Sequence, residues 1–218
     1  MLRLRLDRLD PPVRHVLCLG AHCDDLEIGC GGTVLKLAEG PNAPDITWVV
    51  FSSDPTREAE ALRSAETLLH SAPTTRIVIK KFRDGFLPYE GSLVKEAFED
   101  LKGTVSPDLI LTHYRADLHQ DHRLISELTW NTFRDHLILE YEIPKYDGDL
   151  GTPNVFVPLD ETVCRRKIET ILTSFASQAE KRWFSEDLFR ALLRLRGMEC
   201  NAPDNHAEAF YCRKLVVS

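Results

Sequence analysis

Residues 13–32 read Val13-Arg14-His15-Val16-Leu17-Cys18-Leu19-Gly20-Ala21-His22-Cys23-Asp24-Asp25-Leu26-Glu27-Ile28-Gly29-Cys30-Gly31-Gly32. Val13 to Gly20 is an apolar run of the kind that forms a buried strand. Gly29-Cys30-Gly31-Gly32 predicts a close-packed turn opening a helix. Between the two, His22 and Asp25 are three residues apart and can converge on one cation, while Asp24 points elsewhere and is free to act as a base. A second cluster, His119-Gln120-Asp121-His122, follows another apolar run, Leu109-Ile110-Leu111. Two His/Asp clusters at strand ends predict a hydrolytic metal site of the open two-histidine-one-carboxylate kind.

Outward from this stretch, strand and helix patterns alternate. The expected strands are Val13 to Gly20, Ile46 to Ser52, Arg76 to Phe82, Leu109 to Thr112 and His136 to Tyr141. The helices between them are expected at Gly31 to Glu39, Thr56 to His70, Ser92 to Val105 and Arg123 to Arg134. Apolar residues at Ala59, Leu62, Ala65, Leu68 and Leu69 have helical spacing. Lys145 to Pro153, with two glycines and a proline, reads as a loop. Asp160 is placed to cap a helix from Glu161 to about Ala176. A further helix from Ser185 is expected to end at Gly197, and Ala207 to Val217 reads as a last, edge strand. Interleaved strands and helices imply a Rossmann-like, three-layer α/β/α sandwich with a mainly parallel sheet, one domain over residues 1–218. Ligands of such sheets sit beyond the carboxyl ends of the strands. That rim carries His22 and Asp25 after the first strand, and His113, Asp117, His119, Asp121 and His122 after the fourth.

The bulk composition narrows the function. With 218 residues, the chain suits one large domain. A formal net charge of -7 argues against nucleic acid as a partner, since phosphate binding needs a basic face. No apolar run reaches the length of a membrane span. The N-terminus, Met1-Leu2-Arg3-Leu4-Arg5-Leu6-Asp7-Arg8, lacks the apolar core of a secretory signal. The six cysteines form no CxxC pair, which favours the reducing cytoplasm. Two other readings are weak. A structural zinc site from Cys18, His22 and Cys23 lacks the usual ligand spacing. A dinucleotide site lacks GxGxxG. Adjacent Asp24 and Asp25 at a buried rim would repel each other unless a cation offset their charge.

The residues carry a resemblance to the PIG-L/LmbE-like family of metal-dependent N-deacetylases, which act mostly on N-acetylglucosamine-containing compounds. The family's AHPDD motif, with its following GxGG-type segment, matches Ala21-His22-Cys23-Asp24-Asp25 and Gly29-Cys30-Gly31-Gly32. Its HxDH motif matches His119-Gln120-Asp121-His122. The match covers most of the chain up to about Asp121, with weaker landmarks at Ser177-Gln178 and Ala207-Glu208-Ala209-Phe210. Cys23 stands where the family usually has proline, and His206 where relatives often have an aromatic residue.

The resemblance implies that His22, Asp25 and His122 bind Zn²⁺ or Fe²⁺, which lowers the pKa of water. It implies that Asp24 takes the water's proton, and that His119 stabilises the oxyanion or protonates the leaving amine. Asp121 would orient His119. Arg57, near the end of the second strand, and Arg123, beside His122, are candidate substrate contacts. Arg123 could equally pair with an acid nearby, and Arg63 with Glu66 reads as a helix-surface pair. His113 reads as a rim residue, Trp48, Trp130 and Trp183 as core, and Asp147-Gly148-Asp149 as a solvated loop near the mouth. The expected reaction releases acetate and a free amino sugar. An amidase of a non-sugar conjugate, or a non-catalytic metal- or sugar-binding domain, are the alternatives. A homo-oligomer built through the late helices is compatible with the sequence.

Overall fold

The computed structural model describes residue 4 and residues 11–217. The N-terminal stretch read as unlike a secretory signal therefore lies, apart from Leu4, outside the described residues. Seven strands form one sheet: β1 (His15–Gly20), β2 (Asp45–Ser52), β3 (Thr75–Phe82), β4 (Leu109–His113), β5 (Leu137–Tyr141), β6 (Val155–Leu159) and β7 (His206–Cys212). Their order is β3-β2-β1-β4-β5-β7-β6. Strands β1 to β5 pair in parallel, and β7 runs antiparallel to both β5 and β6.

Side chains of β1 alternate between two cores, as the period of a strand requires. Val16 and Cys18 join one apolar cluster, which includes Leu35, Leu68, Ile168 and Phe189. These come from α1 (Asp25–Ala38), α2 (Pro55–Leu69), α5 (Glu161–Ser174) and α6 (Glu186–Glu199). Leu17 and Leu19 join the other, with Val94, Phe98 and Ile125, from α3 (Gly91–Thr104) and α4 (Gln120–Thr132). Helices thus cover both faces, and the sandwich is the three-layer α/β/α arrangement expected. The order reverses at β1, whose neighbours are β2 and β4, so the loops after β1 and β4 diverge into a crevice.

Several elements differ from the sequence reading. Helix α1 starts at Asp25, not Gly31, so the glycine segment lies inside the helix instead of opening it. Its glycines serve close packing. A Cβ on Gly29 would lie 2.2 Å from the ring of Tyr141, and one on Gly32 would lie 2.5 Å from Leu159. Helix α4 begins at Gln120 with His119 as its N-cap, three residues earlier than Arg123. Strand β6 was not expected, and it, not β7, is the edge. Strand β7 ends at Cys212 and is buried from His206 to Tyr211. The buried pair Lys167–Glu208 (2.6 Å) fastens β7 to α1. Glu208 accepts from the N–H groups of Gly32 and Thr33, while Lys167 donates to the carbonyl of Ile28. Helix α6 runs through Gly197 to Glu199.

Tyr141 is fully buried, and its hydroxyl donates to the carbonyl of Leu19 at 2.7 Å, so its ring cannot yield to a new methyl group. Gly29→Ala should therefore destabilise the fold by about 1–3 kcal/mol through overpacking, although helix propensity alone predicts a gain of up to about 1 kcal/mol. The midpoint of urea unfolding gives the sign, and a more stable Gly29→Ala protein would show that Tyr141 does not exclude the side chain.

Candidate metal and catalytic site

The ends of β1 and β4 bring together residues about a hundred positions apart. Helix α1 carries Asp24 at its N-cap and Asp25 at its first position, where the helix dipole favours negative charge. The loop between β4 and α4 carries Asp117 and His119, and the first turn of α4 carries Asp121 and His122. A cavity of about 710 Å³ opens over them, lined by His22, Asp24, Asp25, His119 and His122.

His22, Asp25 and His122 meet at one point. His22 Nδ1 is 3.1 Å from His122 Nε2 and 3.3 Å from Asp25 Oδ2. His122 Nε2 is 3.4 Å from Asp25 Oδ1. Donors about 2.0–2.2 Å from a shared tetrahedral zinc ion stand roughly 3.3–3.6 Å apart, so the spacing fits. The outer nitrogens are already committed to carboxylates. His122 Nδ1 lies 2.9 Å from Asp117 Oδ2, and His22 Nε2 lies 3.2 Å from both Asp121 and Asp84. With those protons turned outward, both inner nitrogens present lone pairs to each other and to Asp25. Such a pocket suits a cation. The titration directions agree. Burial disfavours charge on His22 and His122, yet Asp25 and the outer carboxylates push both pKa values up. Burial likewise disfavours charge on Asp25, but His122, His113 and His22 hold its carboxyl well below the usual range.

Asp24 has a different partner. One of its oxygens binds Arg57 Nη2 at 2.9 Å. Burial lifts its pKa above the usual range, and Arg57 works against that lift. Arg57 is held in turn by Ser177 and Glu60, in the first turn of α2, whose N-cap Asp54 accepts from the N–H groups of Thr56 and Arg57. His119 has a lowered pKa, first through burial and then through the neighbouring His122 and His22. Its Nδ1 accepts from the backbone N–H of Asp121, so the neutral ring carries its proton on Nε2.

Two expected placements change. The Asp121 carboxylate does not hold the His119 side chain. It is fully buried, takes the N–H groups of Gly85 and Leu87, and fixes His22. Arg123 is spent on the carbonyls of Asp117 and Leu118 and does not line the cavity, whereas Arg57 does.

Other groups went unread in the sequence. His113, taken for a rim residue, is buried at 0% exposure and stacks on His122 with ring centres 3.9 Å apart. Burial, then His122, pushes its pKa down to about 4, keeping it neutral. Lys145 joins Asp117 to Asp149, and Asp149 accepts from the N–H of Leu118. The loop read as solvated is thus pinned beside the site. Trp183 is half-buried, packs against the core and also lines the cavity. Glu27, in the first turn of α1, is buried, and burial raises its pKa to about 8. The Cys23 thiol donates to the carbonyl of Ser52, and burial pushes its pKa up to about 12, so it is no ready nucleophile. No disulfide occurs among the described residues, and none of their helices is long and apolar enough to cross a membrane.

Several solved structures share the fold. The N,N'-diacetylchitobiose deacetylase from Pyrococcus horikoshii superposes with a TM-score of 0.74 at 20% identity, covering 95% of this chain and 86% of that one. A 4-carboxy-2-hydroxymuconate hydratase from Pseudomonas putida gives 0.75 at 15% identity, covering 94% and 98%. The zinc-inhibited form of a teicoplanin deacetylase gives 0.69 at 13% identity, covering 91% and 97%. At such identities the likeness establishes the fold, which hosts more than one reaction. The sequence itself matches the family described as PIG-L, GlcNAc-PI de-N-acetylase, over residues 17–133, more than half of its length and the stretch that carries both clusters. The chain belongs to the PIG-L family of de-N-acetylases.

Proposed function

We propose that this protein hydrolyses the acetamide of an N-acetylated amino sugar, with His22, Asp25 and His122 holding one divalent cation and Asp24 acting as general base. As a PIG-L member it is a deacetylase. The observation that carries the rest is the split between two neighbouring carboxylates: Asp25 faces three imidazoles, and Asp24 faces an arginine and the cavity. Zn²⁺ or Fe²⁺ suits the donor set and would act there as a Lewis acid toward water and the acetyl carbonyl.

Asp24 accepts the proton of the attacking water on the oxygen that Arg57 leaves free. His119, neutral with a proton on Nε2, donates to the oxygen of the acetyl group as negative charge develops there. The proton held by Asp24 then passes to the leaving amine. Asp117 and Asp121 fix the two imidazole rings, and Lys145 offsets the charge of Asp117. Arg57 holds Asp24, and its place in the cavity lining is the remaining support for a substrate contact. Trp183 with Lys181 (5.7 Å) offers a sugar ring an apolar face beside a cation.

Asp24→Asn should keep its metal and lose about 10²- to 10⁴-fold in acetate release from N-acetylglucosamine conjugates. Asp25→Asn should lose metal as well. Elemental analysis beside the rate separates the two, and near wild-type turnover by Asp24→Asn would sink the mechanism.

Arg57 gives a pH test. It opposes the lift of the Asp24 pKa, so Arg57→Gln should let that pKa rise further. Asp24 must be ionised to act, and activity is lost as pH falls through its pKa, so the acid limb should move to higher pH. An unchanged limb with only a raised KM would assign Arg57 to substrate instead.

A further inference from the structure

Outside the cavity, a second set of metal-ligating side chains converges at the start of α5 and β7. Glu161 is the first residue of α5, Cys164 lies one turn on, and His206 opens β7. One donor atom from each lies within 4.8 Å of the others. None of the three lines the cavity. His206 is 8% exposed, and its Nδ1 is buried with no hydrogen-bond partner. That nitrogen faces Glu161 Oε2 at 3.6 Å, beyond hydrogen-bond reach. Cys164 is fully buried, while the Glu161 side chain is 58% exposed and leaves a way in from solvent.

We propose that Glu161, Cys164 and His206 form a second transition-metal site, for Zn²⁺ or a similar ion. A thiol, an imidazole and a carboxylate suit such ions and not Mg²⁺ or Ca²⁺. Contraction of about 1 Å brings the donors to the spacing around tetrahedral zinc and leaves one position for water. The charges close. The Cys164 thiol gives its proton to solvent as the sulfur–metal bond forms. The resulting thiolate and the Glu161 carboxylate then offset the two charges of the ion. Arg190 binds the other oxygen of Glu161 at 3.0 Å and is itself offset by Glu186 at 3.3 Å. It lies 3.9 Å from Cys164 Sγ, where it favours the thiolate. The metal gives the unpartnered His206 nitrogen its partner and clamps α5 to β7.

Cobalt(II) distinguishes this site from the one in the cavity, because here Cys164 is a ligand, whereas the Cys23 thiol in the cavity lining is spent on the carbonyl of Ser52. Metal-free full-length protein titrated with Co²⁺ under anaerobic conditions should develop a near-ultraviolet sulfur-to-cobalt charge-transfer band. Cys164→Ser should abolish the band and one bound equivalent. His122→Ala should keep the band. Glu161→Gln, at an exposed position that folding tolerates, should weaken the cobalt ion that gives the band by at least the 10- to 100-fold typical of a lost outer partner. Absence of the band in wild-type protein, or its persistence in Cys164→Ser, overturns the proposal. Neither result depends on whether the cavity binds metal or the protein deacetylates anything.

Discussion

Asp25 holds a negative charge where water scarcely reaches, and the site is built around keeping it there. A buried carboxylate without partners would take up a proton. Asp25 instead receives the N–H of His22 at 2.6 Å, stands at the N-terminus of α1, and faces His22, His113 and His122. Two of those rings come from β4 and the helix after it, so the charge is stable only because β1 and β4 are adjacent, in register from Val16–Leu109 to Cys18–Leu111. The sheet order thus enters the chemistry directly. Any shift of β4 against β1 would separate the carboxylate from the imidazoles.

The close packing of α1 serves the same end. Glycine at positions 29 and 32 lets the helix lie against Tyr141 and Leu159, and the Lys167–Glu208 pair fixes its middle to β7. The aspartates therefore stand on an element fastened to three strands, and His122 on a helix whose first turn is tied to its surroundings through Asp121 and Asp117. Neighbouring acids have different surroundings, and the roles proposed for them follow. Asp25 is compensated by imidazoles, which suits the ligand role proposed for it, whereas Asp24 is partly compensated by one arginine, which suits the proposed base role.

Much of this could be read in the chain. Period-two and helical patterning located five strands and the helices between them, and the strand-end rule put His22, Asp25, His119 and His122 on one rim. The start of α1 was misread because glycine usually breaks a helix. Here its smallness is used instead, and that depends on Tyr141, which is distant in sequence. Strand β6 escaped because Val155–Leu159 is short and contains Pro158, which an edge strand tolerates. Among site residues, His113 was underrated since a histidine closing a strand gives no hint of stacking beneath another. The link between Asp121 and His22 spans 99 residues and has no local signature. Lys145 and Asp149 lie in a glycine-containing loop whose composition reads as solvent-facing, although their side chains are tied to Asp117 and Leu118.

Deacetylation that depends on a cation held by His22, Asp25 and His122 must stop when that cation is removed. The direct measurement is acetate release from a panel of N-acetylglucosamine conjugates by chelated, metal-free protein, before and after re-addition of Zn²⁺ or Fe²⁺. Turnover should be absent without metal, should recover on re-addition to the wild type, and should not recover in His122→Ala. Full activity in metal-free protein, or full recovery in His122→Ala, would rule that dependence out.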